Sequence, residues 1–126
     1  MNFIDEALGK HLNAHDFLQA MGEIRNHPEV REALQAYPQW IRDVITVIDY
    51  DTEMTTEGME NREYTPEIAA LRRCGINKEA ELLSMVHETS DYAALSAIYP
   101  RLACLNEDDY TVFWNCLEAY IDQNLT

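Results

Sequence analysis

The most constraining feature of this chain is the apolar stripe near its C-terminal end. Tyr110, Phe113, Trp114, Leu117, Tyr120 and Ile121 recur at helical spacing behind an acid-loaded start, Asn106-Glu107-Asp108-Asp109. That pattern predicts an amphipathic helix whose acids complement the positive end of the helix dipole. A second apolar segment runs from Gln39 to about Glu53, where Trp40, Ile41, Val44, Ile45, Val47 and Ile48 cover more than one face. It reads as a central buried helix. Its β-branched density also suits a buried strand, but the rest of the sequence offers no strand for it to pair with, so helix is the reading. The Tyr110–Ile121 helix is expected to pack against the Trp40–Ile48 helix.

The remaining segments extend the same pattern. Helices are expected around Ile4–Leu12 and Asp16–Arg25, and from Pro28 through Val30, Ala33, Leu34 and Tyr37, where Pro38 ends or kinks the last. Thr65-Pro66-Glu67 reads as N-cap, N1 proline and first-turn acid, and Gly75 as a left-handed C-terminal cap. Asn77 is placed to cap the next helix, and Ser90 or Asp91 the one after it. At 126 residues with 47% hydrophobic content, the whole of 1–126 is read as a single all-α domain of about six to eight helices.

Charge narrows the function. There are 23 Asp plus Glu against 9 Lys plus Arg, a formal net charge of −14. On a fold of this mass that is about one net negative charge per 500 Å² of surface, which repels phosphate backbones and anionic membranes. Direct nucleic-acid and membrane binding are therefore not expected. No apolar run approaches the ~20 residues that span a bilayer. The beginning, Met1-Asn2-Phe3-Ile4-Asp5-Glu6, lacks signal-peptide character. Together these give the expectation of a cytoplasmic protein. Cys74, Cys104 and Cys116 contain no C-x-x-C pair and read as buried thiols in a reducing compartment.

The acids are unevenly spread. Asp43, Asp49, Asp51, Glu53, Glu57, Glu60, Glu63 and Glu67 crowd a stretch opposed only by Arg62, and no basic residue follows Arg101. Helix-start preference explains Glu107–Asp109 but not this run. Asp49, Asp51, Glu53, Glu57, Glu60 and Glu63 are the candidate partner-binding residues, expected on the surface. Asp49, Glu53, Glu57 and Glu60 would share a helix face if the helix continued, with about 6 Å of rise per step. Such a face suits a Mg²⁺-dependent phosphohydrolase, or an imitation of a phosphate row. DNA carries one charge per ~3.4 Å of each strand, so mimicry needs a second adjoining acidic segment, which the C-terminal acids supply. Against the metal, Gly58 and the threonines before it are expected to break the helix, and basic residues to receive a phosphate are scarce.

Other chemistry finds little support. His11 and His15 stand four apart, a metal-pair spacing, without identifiable third and fourth ligands. His27 precedes a proline in a turn, and His87 sits near a helix C-terminus. Neither a catalytic triad signature nor a glycine-rich phosphate loop is visible. The reading is non-enzymatic, with no catalytic residue, metal or cofactor, and with Trp114 and Tyr120 in the core.

From about Val47 to Asn124 the chain resembles the helical domain of bacterial DNA-mimic proteins. The resemblance rests on Asp49-Tyr50-Asp51-Thr52-Glu53, on Glu57-Gly58, on Tyr64 through Leu71, on Gly75 through Leu83, and on Leu105-Asn106-Glu107 through Tyr120-Ile121. Family members show a Gly-Gly-aromatic step and a longer insert where this chain has Glu57-Gly58-Met59 and a short Asn61–Tyr64 link. The resemblance implies an all-helical fold and an acidic monomer or homodimer that occupies the DNA-binding surface of a transcription factor. An alternative within the family is an immunity protein that neutralises a bacterial toxin. In either case the expected partner is a basic protein surface.

Overall fold

The computed structural model describes residues 2–87 and 91–125. Its order is α1 (Phe3–Gly9), α2 (Ala14–Met21), 3-10 segments at Gly22–Arg25 and Pro28–Ala36, α3 (Gln39–Thr56), α4 (Thr65–Arg73), α5 (Asn77–Ser84), α6 (Tyr92–Ile98), 3-10 turns at Tyr99–Arg101 and Ala103–Leu105, and α7 (Glu107–Leu125). The chain is all-α, with no strand among the described residues. No helix among them is long and apolar enough to cross a membrane.

Local chemistry explains most boundaries. Asn2 and Asp5 form a reciprocal capping box at α1, and Asn13 and Asp91 cap α2 and α6 with their side chains. Ser90 lies outside the described residues. At the end of α4, Gly75 takes φ +78. The Ile76 N–H then reaches the Leu71 carbonyl at 2.8 Å and the Gly75 N–H reaches that of Arg72 at 3.1 Å, a Schellman closure that leaves Ile76 buried.

Three expected boundaries are corrected. Helix α4 starts a residue early, with Tyr64 rather than Thr65 at the N-cap and Pro66 at the second helical position. The buried Tyr64 ring anchors the chain there, and its carbonyl accepts the Ile68 N–H at 2.8 Å. Ile76, not Asn77, is the N-cap of α5, because only Ile76 stands between Gly75 and that helix. Pro28–Ala36 is a 3-10 helix rather than an α-helix. It buries Val30 alone, so no apolar stripe imposes the 3.6-residue period.

Helix α3 is the centre of the domain. Ile41, Val44, Ile45, Val47, Ile48 and Met54 are buried around much of its circumference. Helix α7 buries Phe113, Leu117 and Ile121. Trp114 and Tyr120, expected in the core, are half-buried at the edge of the stripe instead. They lie on its shoulder because their polar atoms keep access to water or to polar partners. Helices α3 and α7 run antiparallel: the Tyr120 hydroxyl donates to Asp43 at 2.8 Å, and that of Tyr110 to Asp51 at 3.0 and 3.1 Å. Asp43 is buried and also receives a fork from Arg73 and a bond from Gln39.

The cysteines are all free. Cys74 is buried and Cys104 and Cys116 half-buried. Burial pushes the Cys74 thiol up to about 12, which keeps it protonated and inert at neutral pH.

Candidate functional site

The acidic run divides into three kinds of residue. Asp49 and Glu53, on α3, are held by arginines. The Arg31 Nε donates to Asp49 at 3.0 Å and its Nη2 completes the fork. The Arg62 Nη2 reaches Glu53 at 3.0 Å and Glu67 also at 3.0 Å, while its guanidinium lies 3.8 Å above the Tyr64 ring centre. Asp51 is the second kind. It was expected on the surface and is instead 5% exposed, under the Tyr110 hydroxyl. The helical period places it beside Asp43's face, toward α7 rather than toward water.

Glu57, Glu60 and Glu63 are the third kind, exposed at and beyond the end of α3. Glu63 meets the His87 ring at 3.2 Å. Glu57 is the C-cap, and Gly58 turns the chain away at φ +83. The four-residue carboxylate face needed for a Mg²⁺ site therefore does not form: the helix stops at Thr56, and Arg31 and Arg62 occupy Asp49 and Glu53. Thr52, Thr55 and Thr56 hydroxyls donate back to carbonyls one turn earlier, at 3.0, 2.9 and 2.6 Å, loading the last turns of α3 with competing bonds. His11 and His15 are also separated. His11 takes φ +53 between α1 and α2, while the His15 Nδ1 lies 2.6 Å from Glu118 on α7. No group of three or more metal-ligating residues occurs among the described residues.

The antiparallel pairing has a consequence for charge. From Asp43 to Asp51 is about 12 Å of α3 and from Tyr120 to Tyr110 about 15 Å of α7, so the pairs fix both helices in one register. Continuing along α3 past Asp51 leads to Glu57, with Glu60 just beyond the turn at Gly58; continuing past Tyr110 leads back to Asp108 and Glu107 at the start of α7. The two acidic segments share one end of the domain. At α7 the acids face a positive helix terminus. At α3 Glu57 stands at a negative one, with no basic residue in the last turn, where an acid costs about 0.3–1 kcal/mol. Helix stability therefore explains Glu107 and Asp108 but not Glu57.

Beside this end a groove of about 930 Å³ runs between α2, α3 and α7. Asp51 forms its floor, Trp114 and Tyr110 one wall, and Leu18 and Ile48 an apolar flank. Arg25 stands at one rim with its Nε on Thr52 Oγ1 at 2.9 Å, and the His15–Glu118 pair at another. Burial raises the Asp51 carboxyl above its ordinary range, opposed by the Tyr110 donor and the charge of Arg25. Sequence reading did not find this groove. The available signal was the spacing of Asp43 and Asp51, each four residues from Val47 and so on a helix row that is otherwise apolar at its centre.

The chain matches no known protein family, no curated protein and no solved structure.

Proposed function

We propose that this is a non-enzymatic acidic binding protein that uses the shared end of α3 and α7 to occupy a basic surface on another protein. The observation that carries the reading is the register of the two helices, which brings Glu57 at the end of α3 and Glu107 at the start of α7 to the same end of the domain, with Glu60 and Asp108 close to them in the chain. All four are exposed, and none is in an ion pair among the described residues. Four of the nine Lys and Arg side chains are paired with other acids: Arg31 with Asp49, Arg62 with Glu53 and Glu67, Arg73 with Asp43, and Lys78 with Asp109. An acid retained at the negative end of α3 fits selection for a partner rather than for stability.

Two adjoining acidic segments are also what imitation of a phosphate row requires, since packed helices lie about 8–10 Å apart and one helix alone supplies too few charges. The partner in this reading is a protein whose basic site ordinarily holds nucleic acid. The test is competition. A partner isolated with the tagged protein at low salt is bound to a labelled duplex, and the protein is added. Release of the duplex supports mimicry. Simultaneous binding of duplex and protein assigns the acids to another basic surface.

A further inference from the structure

The groove floor is left incomplete by the protein's own groups. An ionised carboxylate accepts about four hydrogen bonds, yet both oxygens of Asp51 share one donor, the Tyr110 hydroxyl. The residue is 5% exposed and lines the groove. Arg25 approaches the same space but is held at Thr52 rather than on Asp51. Of the groove's two carboxylates, Glu118 is taken by His15 at 2.6 Å, whereas Asp51 has, among the described residues, only the Tyr110 hydroxyl on it. Thr55, Thr56 and Thr111 bring the groove to the end of the domain that carries Glu57 and Glu107.

We propose that the groove seats an arginine side chain from the partner's basic surface, its guanidinium on the Asp51 carboxylate and its aliphatic stem against Trp114 and Leu18. This rests on the reading of the acidic end given above and names the anchor of that interface. Arginine suits the site better than lysine: a planar fork matches a two-oxygen acceptor and stacks on an aromatic wall, which a compact, strongly hydrated ammonium does not. The exposed acids steer the encounter, while the buried carboxylate holds the complex once formed.

The test needs no partner. Amide and indole NMR signals are followed while Nα-acetyl-arginine amide is added, with the neutral Nα-acetyl-citrulline amide as the uncharged isostere. The expected result is saturable movement of the Trp114 indole and of the Asp51 and Tyr110 amides, with the Trp40 indole unmoved and the citrulline compound inert. Asp51→Asn, which keeps an acceptor for Tyr110, should weaken binding by about tenfold or more, as loss of a charged hydrogen-bond partner does. Arg25→Ala, at an exposed rim position, should strengthen it by removing a like charge. Shifts confined to Glu57, Glu60 and Glu107, or binding indifferent to Asp51→Asn, would overturn the groove assignment and leave the acidic end standing. Weaker binding in Arg25→Ala would also overturn it, because it would mean the groove recruits a negative group. Loss of salt-dependent partner binding with the groove still saturable would instead remove the acidic-end reading.

Discussion

Tyr120 and Asp43 lie 77 residues apart in the chain, and the Tyr120 hydroxyl donates to Asp43 Oδ2 at 2.8 Å. Asp43 is 1% exposed and takes further bonds from Arg73 and Gln39. This network fixes the register of α7 against α3, and with it the end of the domain that Glu57 and Glu107 share. Asp43→Ala strands the Arg73, Gln39 and Tyr120 donors and should cost about 3 kcal/mol in denaturant unfolding. Tyr120→Phe removes one donor and should cost about 1 kcal/mol. A loss below about 0.5 kcal/mol for Asp43→Ala would mean that the network does not set the register.

A second buried acid gives a pH signature. The Tyr50 hydroxyl donates to Glu79 at 2.6 Å and the Ala103 N–H at 3.0 Å, and burial raises the Glu79 carboxyl above its ordinary value near 4.5. Folded protein therefore binds a proton that the unfolded chain has released over the interval above that value. The site's stabilisation is full below the unfolded pKa and is lost as pH rises through the folded one. Glu79→Gln removes this titration. Its melting temperature relative to the unsubstituted protein should rise between about pH 4 and pH 7. An unchanged difference would show that Glu79 titrates alike in both states.

Arg62 ties the end of α3 to the start of α4 through Glu53, Glu67 and the Tyr64 ring. Its side chain is one-third exposed, so solvent screens the pairs. Arg62→Ala should cost about 1–2 kcal/mol and speed amide exchange across residues 58–64. Unchanged exchange there would mean the loop is held without it.

Trp114 meets Phe113 edge-on at 5.0 Å between ring centres and is open to the groove on its other side. Trp114→Ala should cost about 1–2 kcal/mol, against about 3–5 kcal/mol for the buried Phe113→Ala. Equal losses would place both rings in the core.

The apolar stripes of α3 and α7 and the caps at Gly75 and Asp91 were legible because each depends on residues within one or two turns. Asp51 was not. An acid in an acid-rich run reads as surface, and its burial depends on Tyr110, 59 positions away. The same distance hid Arg31 on Asp49 and Arg62 on Glu53, so six acids that look alike in sequence separate into paired, buried and exposed. The 3-10 form of Pro28–Ala36 was missed for a related reason. Sequence supplied a helical period there, but the fold gives it only Val30 to bury.

The most direct test of the acidic end is the salt dependence of association. The Debye length falls from about 10 Å at 0.1 M to about 3 Å at 1 M, so charge steering fades across that range. With the isolated partner immobilised, the on-rate should fall steeply with added salt. A variant carrying Glu57→Gln, Glu60→Gln, Glu107→Gln and Asp108→Asn should start slow and lose most of that slope, with its fold intact because all four side chains are exposed. An on-rate indifferent both to salt and to the fourfold neutralisation would contradict the account, and the acids would then serve solubility alone.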